Sequence, residues 1–264
     1  MIIVTATNDK YAKYLGVMLI SLLRNTDPLT TLSVYILDGS LSVENKLKLT
    51  KIMQERNIRY SFIEPNKRLI QSLPTYSRAK HISKEAYYRI FVPDLITDTN
   101  ITKCIYLDCD LIVTKSIDEL WNTDIHGYLA AAVDTACLLS KEKRVKINRR
   151  LFLPKDASYF NSGVLLMNLA EWRKHRISQR VIDLIRKETV ELRLIDQDAL
   201  NIILHGKWLK LDPKWNYTDS HWVKMPLINP AIIHFTGPRK PWNEDVTYKD
   251  EYEKYEDQLA WETL

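Results

Sequence analysis

The sequence predicts an α/β fold built on a largely parallel sheet flanked by helices, and three observations predict it. The first third alternates β-branched runs with helical patterns, the order of a parallel sheet with crossover helices. The stretch 103–113 (KCIYLDCDLIV) sets apolar, β-favouring residues on both sides of two acids, as in a strand buried on both faces. Finally, Asn8, Asp110, Asp134 and His234 lie at or near predicted strand ends, and open α/β sheets bind ligands outside the carboxyl ends of their strands.

Taken in order, Ile2-Ile3-Val4-Thr5-Ala6-Thr7 reads as a short strand, Asn8-Asp9 as a turn and cap, and 11–23 as a helix. A strand over 32–37, a helix over 42–56 and a strand over 58–63 continue the alternation. Residues 81–89 read as a cap with a helix behind it that ends before Pro93, and the central strand 103–113 follows. A short helix is expected at 116–121, and a strand of small residues at 128–134 that ends in Asp134. A further strand at 159–169 is entered through Asn161-Ser162-Gly163, followed by helices at about 169–187 and 196–204. The last strand, 231–235, closes on Thr236-Gly237-Pro238.

A chain of 264 residues with 45% hydrophobic content can bury a substantial core. No apolar run approaches the roughly 20 residues of a membrane span, and the chain opens on a strand instead of a charged leader, so a cytoplasmic protein is expected. Cys104, Cys109 and Cys137 lack CxxC spacing and read as reduced packing thiols. The formal charge of +5 is partly concentrated at 141–150 and 173–180. We read these runs as solvated helix faces with weak attraction to an anionic membrane surface; no aromatic-rich nucleic-acid signature accompanies them. No Gly-rich phosphate loop follows the first strand, so helix termini and a metal must handle phosphate.

Strand alternation makes Asp108 and Asp110 project the same way, so that their oxygens can converge on one hard cation. An Asp-x-Asp triplet alone is weak, because most are solvated strand ends or helix caps. The second triplet, Asp196-Gln197-Asp198, opens a helical pattern in which positions two apart do not share a face, which makes it a poorer clamp.

Six motifs follow one another along nearly the whole chain: Ala6-Thr7-Asn8 with Tyr11, the His81 to Arg89 helix, Tyr106-Leu107-Asp108-Cys109-Asp110, Phe160-Asn161-Ser162-Gly163-Val164, Asp196-Gln197-Asp198, and His234-Phe235-Thr236-Gly237-Pro238-Arg239-Lys240-Pro241-Trp242. In this order they resemble the retaining, nucleotide-sugar-dependent glycosyltransferases of family 8. The resemblance implies a GT-A architecture, a Rossmann-like sheet continuous with a smaller acceptor region, as one domain over 1–264. Its nucleotide-binding part would cover about 1–115, and its sugar, acceptor and metal-closing part about 116–264. It further implies a UDP-galactose or UDP-glucose donor held through Mn²⁺, with Mg²⁺ the alternative, and a saccharide, glycoprotein or glycolipid acceptor.

Residue by residue, the resemblance assigns Asp108, Asp110 and His234 to the metal, a ligand set that leaves open positions for a diphosphate. Gly237 and Lys240 fall to the diphosphate, Arg89 to donor phosphate and sugar, and Ala6, Thr7, Asn8 and Tyr11 to the uridine pocket, where many relatives carry Asp at the position of Asn8. Cys109 and Ser162 fall to the donor, Asn161, Asp196 and Gln197 to the transferred sugar, Asp134 to donor and acceptor, and His81 to the acceptor. A covalent route would require a carboxylate where this chain has Gln197, so front-face attack with Asp196 holding the sugar is expected. Two rivals make different demands. A metal-dependent phosphohydrolase would release product with no gain from an acceptor, and a basic nucleic-acid or lipid-surface module would ignore UDP and bind with a steep salt dependence.

Overall fold

The computed structural model describes residues 1–75, 83–226 and 229–263, and divides into two compact units, one made of 1–64, 107–123 and 213–264, the other of 65–106 and 124–212. Its strands in chain order are β1 (Ile2–Thr7), β2 (Ser33–Asp38), β3 (Arg59–Ile63), β4 (Lys103–Leu107), β5 (Leu111–Val113), β6 (Ala130–Val133), β7 (Val164–Asn168), β8 (Trp208–Leu211), β9 (Tyr217–Thr218) and β10 (Ile232–His234). The architecture is mixed α/β with mainly parallel strands and flanking helices, as the alternating pattern predicts.

In the first unit the strand order is β3-β2-β1, all parallel, with Ile2 opposite Ser33 and Thr7 opposite Asp38. Parallel neighbours need crossovers, and the helices Ala12–Asn25 and Val43–Gln54 supply them. The second crossover begins where expected, with the Ser42 side chain accepting from the Asn45 N–H. Helix Ala12–Asn25 is apolar on nearly every side: Leu15, Val17, Met18, Leu19 and Leu22 are wholly buried. Burial of each such side chain contributes about 1.5–3 kcal/mol. The reason lies in its neighbours, since both β5 and the helix Lys249–Leu259 pack on it. Gly16 permits this approach; a Cβ there would lie 2.9 Å from Leu259 Cδ1. A small second sheet, β5-β10-β9, completes the unit, with β5 antiparallel and β9 parallel to β10.

In the second unit the order is β4-β7-β6-β8, with β6 antiparallel to β7 and parallel to β8. The run Ala130-Ala131-Ala132-Val133 is completely buried. Arg173 donates to the Pro93, Ile101 and Ile96 carbonyls at 3.0, 2.9 and 2.7 Å. Arg173 is therefore a half-buried peg and departs from the solvated face expected of 173–180, whereas Lys174, Arg176 and Arg180 are exposed as expected.

Three further expectations are corrected. The stretch 103–113 is not one strand: β4 ends at Leu107, β5 starts at Leu111, and Asp108, Cys109 and Asp110 form the bend between them. The helix expected over 169–187 is two helices, Leu169–Lys174 and Ile177–Lys187, broken where Arg176 takes a φ of 50°. Pro93 does not lie beyond a helix end. A 3₁₀ run, Lys84–Phe91, leads into the helix Val92–Leu95 with Pro93 in its first turn, where a missing N–H costs nothing.

Candidate functional site

The bend at Asp108–Asp110 acquires its geometry from the strand that follows it. Because β5 pairs antiparallel with β10, Leu111 stands opposite His234, and the Phe235 N–H donates to the Asp110 carbonyl at 3.0 Å. The ladder thus delivers an imidazole to a carboxylate more than a hundred positions earlier in the chain. His234 Nε2 lies 3.1 Å from Asp110 Oδ1 and 3.8 Å from Asp108 Oδ2. One ligand atom from each of the three residues falls within 4.8 Å of the others, the geometry of a site that could hold a metal ion. The convergence inferred from strand alternation is present, but its cause is the bend and the ladder.

Asn216, itself fully buried, orients the ring: its Oδ1 lies 2.9 Å from His234 Nδ1. An amide oxygen can only accept, so Nδ1 carries a proton, and Nε2 is the ring nitrogen turned toward the two carboxylates. A bound divalent cation reconciles that arrangement, and two carboxylates with one imidazole suit manganese or magnesium. Cys109 sits between the acids, but burial, Asp110 and Asp108 push its thiol well above the usual range. It stays protonated and is no thiolate ligand.

Lys240 is the second partner of Asp110. Its Nζ lies 2.6 Å from Asp110 Oδ2 and also donates to the Phe235 carbonyl. Burial raises the Asp110 carboxyl, but the Lys240 ammonium and His234 more than reverse this and hold it well below the usual carboxylate range. Burial likewise lowers the Lys240 amine, and Asp110 more than reverses it. Both groups are therefore charged at neutral pH. Beside them, Trp242 stacks on Tyr14 with centroids 3.7 Å apart, and Tyr11 meets both rings edge-on. Gly237 is required by crowding: a Cβ would stand 2.6 Å from Asp219 Oδ2.

Among the residues expected at a uridine pocket, Ala6 and Thr7 are buried at the end of β1, and Asn8 caps the turn that follows by accepting from the Tyr11 N–H at 3.3 Å. Part of the Asn8 amide is thus committed to local structure.

The remaining predicted residues gather in the second unit. Arg89, on the 3₁₀ run, pairs with Asp196 at 3.0 Å, donates to the Ser162 carbonyl and hydroxyl at 2.7 and 3.0 Å, and lies over the Tyr106 ring at 4.9 Å. Gln197 Oε1 accepts from Asn161 and from the Ser162 N–H, both at 3.1 Å, while its Nε2 donates to the Tyr159 hydroxyl at 2.9 Å. Asp198 faces elsewhere, accepting from Tyr159 at 2.7 Å and pairing with Arg150 at 2.8 Å. The two acids of the second triplet diverge, as helical spacing predicts.

Asp134 stands apart. It accepts from the Ala136 and Tyr159 N–H groups and pairs with Lys210 at 2.8 Å. Burial raises its carboxyl, while Lys210 and the two N–H groups more than reverse this, so that it sits below its ordinary value. His81 lies outside the described residues. Sequence reasoning missed Asn216, Tyr159 and Arg150, which act by holding other side chains and carry no motif, and it gave Asp198, though part of the second triplet, no role of its own.

The sequence profile of Glycosyl transferase family 8 matches residues 2–246. General stress protein A of Bacillus subtilis is 36% identical over 282 aligned positions, covering 100% of this chain and 96% of that protein. A putative glycosyltransferase of Haemophilus influenzae is 31% identical, covering 94% of this chain and 74% of its own length. Among solved structures, the galactosyltransferase LgtC, in complex with donor and acceptor sugar analogues, superposes with a TM-score of 0.86 at 26% identity, covering 98% of this chain and 96% of that one. The order of strands and crossovers, the Asp-Asp-His geometry and the match along almost the entire chain agree: the protein has the GT-A fold and belongs to glycosyl transferase family 8.

Proposed function

We propose that the protein is a retaining, metal-dependent hexosyltransferase that moves galactose or glucose from a UDP-sugar to a saccharide or glycoconjugate hydroxyl. The observation that carries this reading is the set of Asp108, Asp110 and His234, with Nε2 aimed at both acids by Asn216. Galactose and glucose are both represented among the similar proteins, by LgtC and by the lipopolysaccharide 1,2-glucosyltransferase of Escherichia coli, which is 24% identical to this chain.

In this reading a bound divalent ion supplies Lewis-acid stabilisation of the leaving diphosphate. The protein's own residues bind and orient. Lys240, kept charged by Asp110, would donate to a diphosphate oxygen, and Gly237, where a side chain would meet Asp219, would let that loop approach closely. Ala6, Thr7, Asn8 and Tyr11 hold the uridine, with Cys109 lining the donor site. Arg89, fixed by Asp196 and Ser162, meets the donor sugar, with Asn161, Asp196 and Gln197 ordering its hydroxyls and Asp134 beside sugar and acceptor. His81 would serve the acceptor. Gln197 is an amide with both ends hydrogen-bonded, a poor nucleophile, which supports front-face attack. The protein would work in the cytoplasm, peripheral to the inner face of the membrane; among the described residues, no helix is long and apolar enough to cross one.

The test measures UDP release from UDP-galactose and UDP-glucose, with and without Mn²⁺ and with and without a panel of saccharides. Cation-dependent release that rises when one saccharide is added supports transfer. Release that no saccharide accelerates assigns hydrolysis instead. If Gln197→Ala abolishes transfer while donor binding survives, front-face attack gives way to a role for that side chain in the chemistry.

A further inference from the structure

We propose that a basic recess in the second unit binds an anionic saccharide, the charged outlying part of the acceptor glycan. The acceptor role rests on the glycosyltransferase reading above, but the binding itself does not. The recess is shallow and open, with about 530 Å³ of space, a volume suited to a sugar-sized ligand. Its wall is the helix Lys141–Arg150, where Lys143, Lys146 and Arg150 recur at helical spacing and share one face. Arg149 and Arg193 add to it, while Glu191 is the one acid among the lining residues. Among the described residues, Lys143, Lys146 and Arg149 have no carboxylate within salt-bridge distance.

The other element is Phe152, a residue 77% exposed although it lines the recess. Its φ of 55° is a left-handed conformation that favours glycine, so the backbone holds an aromatic ring outward at some cost. A solvated charge run explains the lysines but not that ring. Cations beside an exposed ring match a saccharide bearing carboxylate or phosphate: the ring takes the apolar face of the sugar, and ammonium and guanidinium groups take the anion. An anionic membrane would call for a broad face with several exposed apolar side chains, whereas this recess offers the exposed Phe152 and the half-buried Ile147.

The recess is also tied to the candidate sugar contacts of its own unit. Arg150 lines it and grips Asp198 at 2.8 and 3.3 Å; Asp198 accepts from Tyr159, and Tyr159 accepts from Gln197. A ligand gathered here would therefore touch Arg150, the outermost residue of the chain of contacts that braces Gln197.

Isothermal titration of the full chain, with no donor present, compares tetragalacturonate with neutral maltotetraose and with phosphatidylglycerol vesicles. Tetragalacturonate is expected to bind at low salt, to weaken as salt is added, and to bind at least about tenfold better than maltotetraose. The triple variant Lys143→Glu/Lys146→Glu/Arg149→Glu should weaken it at least about tenfold. The charge-matched control Arg180→Glu/Lys187→Glu/Lys207→Glu should leave it unchanged. Should the triple variant misfold by circular dichroism, Phe152→Ala decides, with an expected loss of about threefold or more. The proposal is overturned if tetragalacturonate fails to bind, if the control variant weakens it as much as the triple variant does, if Phe152→Ala binds like the wild type, or if only the vesicles bind. Absence of UDP release in the earlier assay would sink the transferase reading and leave this binding result standing.

Discussion

The two units treat their acids in opposite ways. In the first, Asp108 and Asp110 keep side-chain exposures of 21% and 19%, converge on one imidazole, and have a lysine, a flexible point charge, as the counter-ion of Asp110. In the second, Asp196 and Asp198 are buried on a helix, and each is held by its own planar guanidinium, Arg89 or Arg150, within a wider hydrogen-bonded network. The first arrangement concentrates negative charge without saturating it, which is what a cation and a diphosphate require. The second is closed, so it gives shape and rigidity. The same Asp-x-Asp spelling thus becomes a pair of converging acids on a bend and, on a helix, two diverging acids of which Asp198 is a brace.

If the contrast holds, single substitutions should separate activity from stability. Asp108→Asn is expected to lower kcat/KM for UDP release by about a thousandfold, since it removes charge from the metal set, while urea unfolding shifts little. Asp198→Ala should do the reverse in kind: it leaves the Arg150 charge short of its partner and the Tyr159 hydroxyl without its acceptor, a loss of about 3 kcal/mol in unfolding free energy. A variant of Asp108 that unfolds easily, or one of Asp198 as stable as the wild type, would break the distinction.

How much of this could be read from the chain depends on range. β1, β2, β3 and the first two crossovers are legible because local pattern and local caps agree, as at Asn8 and Ser42. The break at Asp108–Asp110 is not, because Ile105-Tyr106-Leu107 and Leu111-Ile112-Val113 look alike in composition, although their backbone pairing sends them to different sheets. β9 spans two residues and exists only through its pairing with β10, so no periodicity could announce it. In the site, the motif carriers Asp110, His234 and Lys240 are legible, and the geometry brings them together. Their support is not: Asn216 lies 18 positions from His234 in an unremarkable loop, and only the fold sets it against Nδ1.

Asn216 therefore sharpens the comparison from within the first unit. Asn216→Ala should leave all three metal-set side chains in place but release the ring, weakening Mn²⁺ affinity about 10–100-fold in a direct titration. Asn216→Asp, which still accepts from Nδ1, should retain more of that affinity. If both variants bind Mn²⁺ like the wild type, the ring is held by packing alone.

The smallest effect concerns His221, a wholly buried side chain in the same unit that never meets the acids. Its Nδ1 accepts from the Thr218 N–H at 3.1 Å, and burial lowers its pKa from 6.5 to about 4. The unfolded chain takes up a proton near 6.5 and the folded chain only near 4, so His221 subtracts stability as the pH falls through that window and nothing above it. Glutamine at this position can keep the cap without titrating. Urea unfolding at about pH 7 and about pH 5 should then show a smaller acid loss for His221→Gln than for the wild type, whereas equal losses would mean that the acid sensitivity arises at other groups.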